Sequence, residues 1–124
     1  MNEKLQVPLG GLIAAGQPMH AYFADAEAPV KCDFALRMKG DSMINARIFC
    51  GDIVFIREQQ DVDSGQIAAV VINNETILRR VFKYDNRLEL RPENPTFAVQ
   101  NFEGERMAAV RIIGRVVAFQ GTVR

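Results

Sequence analysis

Ser42 is the residue of this chain whose type and setting most suggest chemistry. It stands in the run Gly40-Asp41-Ser42-Met43, between an apolar segment that ends at Met38 and the apolar run Ile53-Val54-Phe55-Ile56. Gly, Asp and Ser are common turn residues, so the run predicts a turn that presents a hydroxyl. A serine becomes a nucleophile only when a neighbouring base takes its proton. The turn alone therefore allows two interpretations, a nucleophile held between two strands or an ordinary polar turn.

Two further segments could take part in such chemistry. Ala14-Ala15-Gly16-Gln17-Pro18 is a run of small residues that ends in a glycine and a proline. It is either a simple turn or a segment whose backbone can be laid extended into a narrow active site. The segment Thr76-Ile77-Leu78-Arg79-Arg80-Val81 follows Ser42 in the chain and has the composition of a strand.

The composition bounds the class of protein. A chain of 124 residues forms one domain with a modest core. Its 15 basic and 15 acidic residues leave no net charge, which argues against a domain that itself grips a phosphate backbone. Cys32 and Cys50 form no CxxC pair and His20 is the one histidine, so we expect neither a disulfide framework nor a metal site. No apolar run approaches a membrane span and no secretion signal is present, so we expect a soluble cytoplasmic protein.

From residue 33 onward the pattern is that of strands joined by hairpins. Apolar residues alternate with more polar ones over 34–39, which is the period of a half-buried strand. Asn73-Asn74 and Asp85-Asn86 predict hairpin turns, and Gly114 predicts a bulge or bend in the final strand. The predicted strands are 34–39, 53–56, 66–72, 75–84, 87–90 and 108–119. Since no stretch of ten residues shows a convincing helical period, the fold class is mostly β, built of twisted antiparallel hairpins.

The N-terminal part is less regular. Residues 1–6 are interpreted as a tail or linker remnant, and 7–124 as the domain itself. The segment 7–13 predicts a short strand, which Pro8 places at the periphery because proline lacks a ladder donor. The alanine-rich segment 19–30 predicts either a short helical turn or an irregular loop.

An ordered set of motifs along the chain resembles a known family. It is similar to the self-cleaving C-terminal domain of LexA-type repressors and the related UmuD proteins, which are serine–lysine peptidases. The resemblance runs from Val7 to the last residue. The matching motifs are Val7-Pro8-Leu9, Ala14-Ala15-Gly16, Gly40-Asp41-Ser42-Met43, Gly51-Asp52, Arg79-Arg80, Leu90-Arg91-Pro92-Glu93-Asn94-Pro95 and Ile113-Gly114-Arg115-Val116-Val117.

The resemblance implies an activity and assigns roles to residues. Ser42 would be the nucleophile, activated by an uncharged lysine whose pKa is lowered by burial. The backbone amides of Asp41 and Ser42 would hold the developing oxyanion, and the scissile bond would join Ala15 to Gly16. Small residues suit a cramped site, and a tethered substrate has a high effective concentration. The resemblance implies no metal and no cofactor.

The sequence departs from the family where the lysine base should stand. That position is Arg79, and the downstream Pro92-Glu93-Asn94 anchor fixes the register. Arginine stays protonated in proteins, so it cannot act as a general base. We therefore expect a domain that folds like the family and cleaves itself very slowly or not at all.

Other basic residues are weaker candidates for the base. Lys83 lies on the same strand face as Arg79 but about 13 Å further along. Arg80 is expected on the opposite face and has the same high pKa. Lys39 is expected in solvent, and His20 in a surface loop.

The resemblance also implies partners. The family's final strands pair across a two-fold axis, which here predicts a homodimer through residues 112–117. The RecA filament is the implied activating partner. Operator DNA would be bound only through an N-terminal helix-turn-helix domain, for which too few residues precede the first predicted strand.

Several interpretations of the whole chain stay open. It is either the C-terminal domain of a LexA-like SOS repressor or a short UmuD-like accessory protein of a translesion polymerase, and the closing motifs favour LexA. Signal peptidase shares a serine-methionine box, but the chain has no membrane anchor and no proline soon after Met43. A non-enzymatic β module that keeps the fold without the chemistry is the third alternative.

Overall fold

The computed structural model describes residues 5–13, 24–28 and 30–121. Within these ranges the chain forms nine strands and two short 3-10 helices. The strands are β1 (Leu5–Ile13), β2 (Ala24–Ala28), β3 (Phe34–Met38), β4 (Ile53–Glu58), β5 (Ile67–Ile72), β6 (Glu75–Tyr84), β7 (Arg87–Arg91), β8 (Gln100–Glu103) and β9 (Arg111–Gln120). The 3-10 helices are Ile44–Ala46 and Gly104–Ala109. The mostly β fold class is therefore confirmed.

The described strands form one sheet in the order β2-β1-β3-β4-β9-β5-β6-β7-β8. The pair of β1 and β3 is parallel, and the other neighbouring pairs are antiparallel. The last strand, β9, lies in the middle of the sheet, where it pairs with β4 on one side and β5 on the other. It thus joins the part of the sheet that carries Ser42 to the hairpins that carry Arg79.

Apolar side chains pack in two main clusters. The first contains Leu36, Leu78 and Met43, and the second contains Val81 and Leu90. Met43 is fully buried although it belongs to a loop. Since its neighbour in sequence is Ser42, the first cluster anchors the serine turn in the core.

The bulge predicted at Gly114 is confirmed. The register between β9 and β5 shifts beside Gly114, between Ala69 and Val70. A Cβ atom on Gly114 would lie 2.6 Å from the carbonyl oxygen of Arg57 on β4, which is closer than Cβ atoms tolerate. Glycine is therefore required for the close approach of β9 to β4.

The predicted hairpin turns are also confirmed. Asn73 and Asn74 have φ values of 52° and 65°, the left-handed conformation that a two-residue turn requires and that asparagine tolerates. The next hairpin turns at Asp85-Asn86, with Tyr84 paired to Arg87. These two turns fix the register that brings Arg79 to its position on β6.

Two predictions for the N-terminal part were wrong. Residues 24–28 form the edge strand β2, where a helical turn or an irregular loop was expected; pairing with β1 imposes the strand on a segment of low β propensity. β1 is consequently not peripheral, because β2 covers its outer edge. Its pairing with β3 begins at Leu9, one residue beyond Pro8, so the proline costs no bond on that side.

The short polar strand β8 and the second 3-10 helix were not predicted, since one buried residue, Phe102, leaves no periodic pattern.

Candidate active site

Ser42 lies on the turn that leads out of β3, and the backbone holds both ends of the loop. The Gly51 N–H donates to the Met38 carbonyl over 2.7 Å, and the Met38 N–H donates to the Asp52 carbonyl over 2.8 Å. Gly40 has a φ of 89°, a left-handed conformation that favours glycine. Ser42 itself is only 7% exposed. The hydroxyl is therefore held within the fold, not at a loop tip in solvent.

The segment that follows β7 braces the Ser42 turn. The Glu93 N–H donates to the Ser42 carbonyl over 2.8 Å, and Asn94 Nδ2 donates to the Asp41 carbonyl over 2.8 Å. Asn94 is buried, and its Oδ1 accepts from both the N–H and the hydroxyl of Thr96. These bonds fix the direction of the two peptide groups that flank Ser42.

The brace also determines where the Ser42 amide points. In a trans peptide the C=O and the following N–H point to opposite sides, and no cis peptide occurs in the described ranges. Because the Asp41 carbonyl faces Asn94, the Ser42 N–H points away from Asn94. Among the described residues this N–H has no acceptor. An oriented donor beside the hydroxyl is what stabilisation of an oxyanion requires.

Substitution of Asn94 tests this brace. We expect Asn94→Ala to lower the free energy of unfolding by about 1–3 kcal/mol, because it removes a buried side chain that bonds the Asp41 carbonyl and both donors of Thr96. Urea denaturation measures the change. The matched control is Asn101→Ala on β8, whose exposed side chain accepts from Arg87 over 2.6 Å. Equal effects of the two substitutions would show that Asn94 does not brace the turn.

Arg79 reaches the Ser42 hydroxyl from β6. Its Nη1 donates to Ser42 Oγ over 3.1 Å and to the Leu78 carbonyl over 2.6 Å. The hydroxyl oxygen is therefore an acceptor from a cation. A guanidinium has no lone pair that could take the serine proton. The geometry brings together the two positions that the family pattern pairs, but the second group cannot serve as a base.

The guanidinium of Arg79 is poorly solvated. Burial lowers its pKa, since desolvation disfavours the charged form. Arginine starts so far above neutral pH that the group stays protonated. Its Nε is buried and has no acceptor within the described part of the chain. The site thus contains a permanent cation where the resemblance predicts a neutral amine.

Two other basic side chains of β6 are engaged away from Ser42. Lys83 Nζ donates to Asp61 Oδ2 over 2.7 Å. Arg80 Nε donates to Glu93 Oε1 over 2.6 Å, and its Nη1 donates to the Gly65 carbonyl over 2.6 Å. Neither group is placed to take the serine proton. Arg80 instead holds the residue whose backbone N–H braces Ser42.

The brace of Arg80, Glu93 and Asn94 is the part of the site that the sequence did not predict. The segment 92–95, with its two prolines, predicted a break in the strand pattern but not a contact with the serine turn. The available signal in the sequence was the pair Glu93 and Asn94, two polar residues between two prolines. Lys39 is exposed, as expected. The predicted cleavage bond of residues 15–16, and His20, lie outside the described residues.

The Lys83 pair predicts a small dependence of stability on pH. The hydrogen bond from Lys83 holds the pKa of the Asp61 carboxyl below its ordinary value. A lowered carboxyl pKa stabilises the fold above the unfolded-state pKa, and that contribution is lost as the pH falls through the folded-state pKa. Because the Asp61 side chain is 66% exposed, we expect Lys83→Met to cost less than about 1 kcal/mol at pH 7. In urea denaturation the cost should decrease as the pH falls below about 3.9, the ordinary pKa of an aspartate, and a cost that does not change with pH would contradict the pairing.

Comparison with known proteins places this β domain in a class of the serine peptidase type. A family model described as Peptidase S24-like matches residues 5–117. The chain therefore belongs to the peptidase S24-like family.

Individual relatives narrow the comparison. The chain is 40% identical to the LexA repressor of Syntrophomonas wolfei over 101 residues, which are 75% of this chain and 50% of that protein. It is 41% identical to the LexA repressor of Geotalea uraniireducens over 122 residues, 89% of this chain and 58% of that protein. It is 35% identical to the LexA repressor of Thermosipho africanus over 124 residues, 93% of this chain and 61% of that protein. The chain thus spans about half the length of the relatives it matches. No helix in its described part is long and apolar enough to cross a membrane.

Proposed function

We propose that this chain is the regulatory self-cleavage domain of a LexA-like SOS transcriptional repressor, and that Arg79 leaves it deficient in cleavage. The observation that carries the proposal is the 3.1 Å contact between Arg79 Nη1 and Ser42 Oγ. This contact supports Ser42 as the nucleophile, because a basic side chain from the neighbouring hairpin points at its hydroxyl. It equally supports the deficiency, because that side chain is a permanent proton donor.

The reaction that the site would perform with a lysine can be written step by step. An uncharged amine at position 79 takes the proton from Ser42 Oγ, and the oxygen attacks the carbonyl carbon of Ala15. The amides of Asp41 and Ser42 stabilise the tetrahedral oxyanion. The bond to Gly16 nitrogen breaks, the nitrogen takes the proton from the base, and water later hydrolyses the acyl-serine. With arginine at position 79 the first proton transfer has no acceptor. The reaction therefore stops before Ser42 Oγ forms a bond to the Ala15 carbonyl carbon.

The proposal includes a homodimer and a co-protease. Residues 112–117 of β9 would meet a second copy across a two-fold axis through their partly exposed side chains, because the backbone of β9 is already paired with β4 and β5 over most of this segment. The RecA filament would promote the cleavable arrangement of the scissile segment. Relatives named LexA repressor support the LexA-like role over a UmuD-like one. Operator contact is not assigned to the described strands, since the chain carries no net charge.

A non-enzymatic dimerisation module is the second candidate, and Arg79 is the observation that favours it. The two candidates differ in what a single restored base would do. In a stalled peptidase the nucleophile is already placed, so Arg79→Lys restores reactivity. In a module that has lost its chemistry, the same substitution changes nothing.

Labelling with a fluorophosphonate probe separates these candidates. We expect no labelling of the chain as it stands, and covalent labelling of Arg79→Lys that disappears in Arg79→Lys/Ser42→Ala. Intact-mass spectrometry detects the adduct. Rapid labelling of the unaltered chain at Ser42 would overturn the deficiency. Failure of Arg79→Lys to react, with its fold intact, would overturn the peptidase assignment.

A further inference from the structure

Glu93 is attached to the Ser42 loop by both of its backbone polar groups. Its N–H donates to the Ser42 carbonyl over 2.8 Å, and its carbonyl accepts from the Asn45 N–H over 2.8 Å. The two bonds clamp the loop at Ser42 and again three residues further along the chain. A displacement of the Glu93 backbone therefore displaces the Ser42 peptide with it.

The side chain of Arg80 holds Glu93 from the hairpins on the far side of β9. Arg80 Nε donates to Glu93 Oε1 over 2.6 Å, and Nη1 donates to the Gly65 carbonyl over 2.6 Å. Gly65 is itself tied to β6, because its N–H donates to the Val81 carbonyl over 2.6 Å. Since the guanidinium is planar and rigid, bonds from two of its nitrogens fix its orientation as well as its position. Glu93 is thus fastened to β6 and to the turn that precedes β5.

The pair of Arg80 and Glu93 is better shielded from water than the other ion pair of β6. The side chains of Arg80 and Glu93 are 31% and 25% exposed, against 40% and 66% for Lys83 and Asp61. Solvent screens exposed ion pairs, so the shielded pair is the one whose geometry carries weight. Lys83 is a matched comparison, because it also donates to a carboxylate and to a backbone carbonyl. No bond among the described residues links those two acceptors to the Ser42 loop.

We propose that Arg80 is a positioning residue for the nucleophile: through Glu93 it sets the place of Ser42 relative to the side chain at position 79. Neighbouring side chains of a strand point to opposite faces, so Arg79 reaches Ser42 Oγ directly while Arg80 reaches the same loop through Glu93. One strand therefore fixes both the position of the base and the brace of the nucleophile. The inference rests on the proposed function in one respect, that a lysine at position 79 makes Ser42 reactive.

The rate of fluorophosphonate labelling in the Arg79→Lys background tests the proposal. We expect Arg79→Lys/Arg80→Met to react at least about tenfold more slowly than Arg79→Lys, because a misplacement of about 1 Å can cost about 10²-fold. Arg79→Lys/Lys83→Met is the control and should react like Arg79→Lys. Equal rates of the Arg80→Met and Lys83→Met variants would overturn the proposal.

The pH profile of labelling separates position from electrostatics. The plateau rate at high pH should fall in the Arg80→Met variant, since the lost contact changes the geometry of the nucleophile and not the identity of the base. An unchanged plateau with a shifted midpoint would show that Arg80 acts on the pKa of the lysine at position 79. That result would overturn a positioning role.

Conservative and combined variants identify the contact. Arg80→Lys should recover part of the rate lost in Arg80→Met, because its ammonium keeps a charged bond to Glu93. Glu93→Gln should also slow labelling, and combining it with Arg80→Met should cost little more than Arg80→Met alone, because both changes act on one interaction. Losses that multiply, or an Arg80→Lys variant as slow as Arg80→Met, would overturn the ion pair as the positioning contact.

Amide hydrogen exchange gives a readout that does not depend on reactivity. In Arg80→Met we expect the N–H groups of Glu93 and Asn45 to exchange at least about tenfold faster, because local opening no longer breaks a charge-assisted bond. The N–H of Val70, in the middle of β5, should keep its rate, and Lys83→Met should leave all three rates unchanged. If the three amides exchange faster together in Arg80→Met, Arg80 supports the whole fold and the proposal is overturned.

The two sets of measurements distinguish this inference from the proposed function. If Arg79→Lys reacts and Arg80→Met does not slow it, only the inference fails. If Arg79→Lys does not react although Arg80→Met loosens the Ser42 loop locally, the proposed function fails and the placement of the loop by Arg80 stands.

Discussion

Replacement of Arg79 by lysine is expected to restore self-cleavage between Ala15 and Gly16. A positioned general base contributes about 10²–10⁴-fold to a rate, so the cleavage rate should rise by at least that factor over the unaltered chain. The remaining parts of the site are in place without it: Ser42 is braced through Glu93 and Asn94. A gel time course that resolves two fragments measures the rate.

The restored reaction should depend on pH in a defined direction. Lysine is a base only when it is deprotonated, and its ordinary pKa is about 10.4. The surroundings that lower the pKa of Arg79 by burial should lower that of a lysine in the same place. The cleavage rate of Arg79→Lys should therefore increase as the pH rises through the lowered lysine pKa, and then level off. A rate that stays independent of pH from about 5 to about 10 would contradict a lysine base, because even a buried lysine titrates within that range.

Matched variants keep this test specific. Arg79→Lys/Ser42→Ala should not cleave, because the nucleophile is gone. Arg79→Lys/Lys83→Met should cleave like Arg79→Lys, because Lys83 is paired with Asp61 away from the site. Loss of cleavage in the second variant would indicate that Lys83, and not the residue at position 79, is the general base.

Substitution of Gly114 by alanine should produce the largest loss of stability among single methyl additions. The new Cβ would lie 2.6 Å from the carbonyl oxygen of Arg57 and closer still to the Ile56 side chain. A backbone oxygen in a paired strand cannot swing aside, so β9 must separate from β4. We expect Gly114→Ala to lower the free energy of unfolding by about 3 kcal/mol, at the upper end of overpacking effects.

Urea denaturation with a control on the same strand checks this expectation. Gln120→Ala changes an exposed residue of β9 and should alter stability by no more than about 0.5 kcal/mol. If Gly114→Ala unfolds at the same urea concentration as the control, β9 does not approach β4 as closely as the structure indicates. Because β9 links the two halves of the sheet, Gly114→Ala/Arg79→Lys should also cleave more slowly than Arg79→Lys.

Local patterns were sufficient for most of the central fold. The alternation over 34–39 and the asparagine pair at 73–74 act over a few residues, so the sequence alone predicts their strand and turn. Gly114 was marked as a bulge because a glycine inside a strand pattern usually has a structural reason. The structure adds that reason, the approach of β4.

Features that depend on distant contacts were beyond the sequence. Residues 24–28 have low strand propensity and become β2 only because β1 offers a partner, a tertiary effect that local propensity does not contain. The contact of Asn94 with the Asp41 carbonyl joins segments far apart in the chain, and no periodic pattern indicates it. Arg79 was assigned from the family pattern, and the structure adds its bond to Ser42 and its buried Nε.

The central claim is that Ser42 is correctly placed and has nothing to take its proton. The most direct measurement is intact-mass spectrometry of the unaltered chain after long incubation from about pH 7 to about pH 10, the range over which a lysine base would become active. We predict a single species of unchanged mass at every pH. Two fragments whose masses correspond to cleavage between Ala15 and Gly16 would contradict the claim. Cleavage would require a general base, which Arg79 cannot provide.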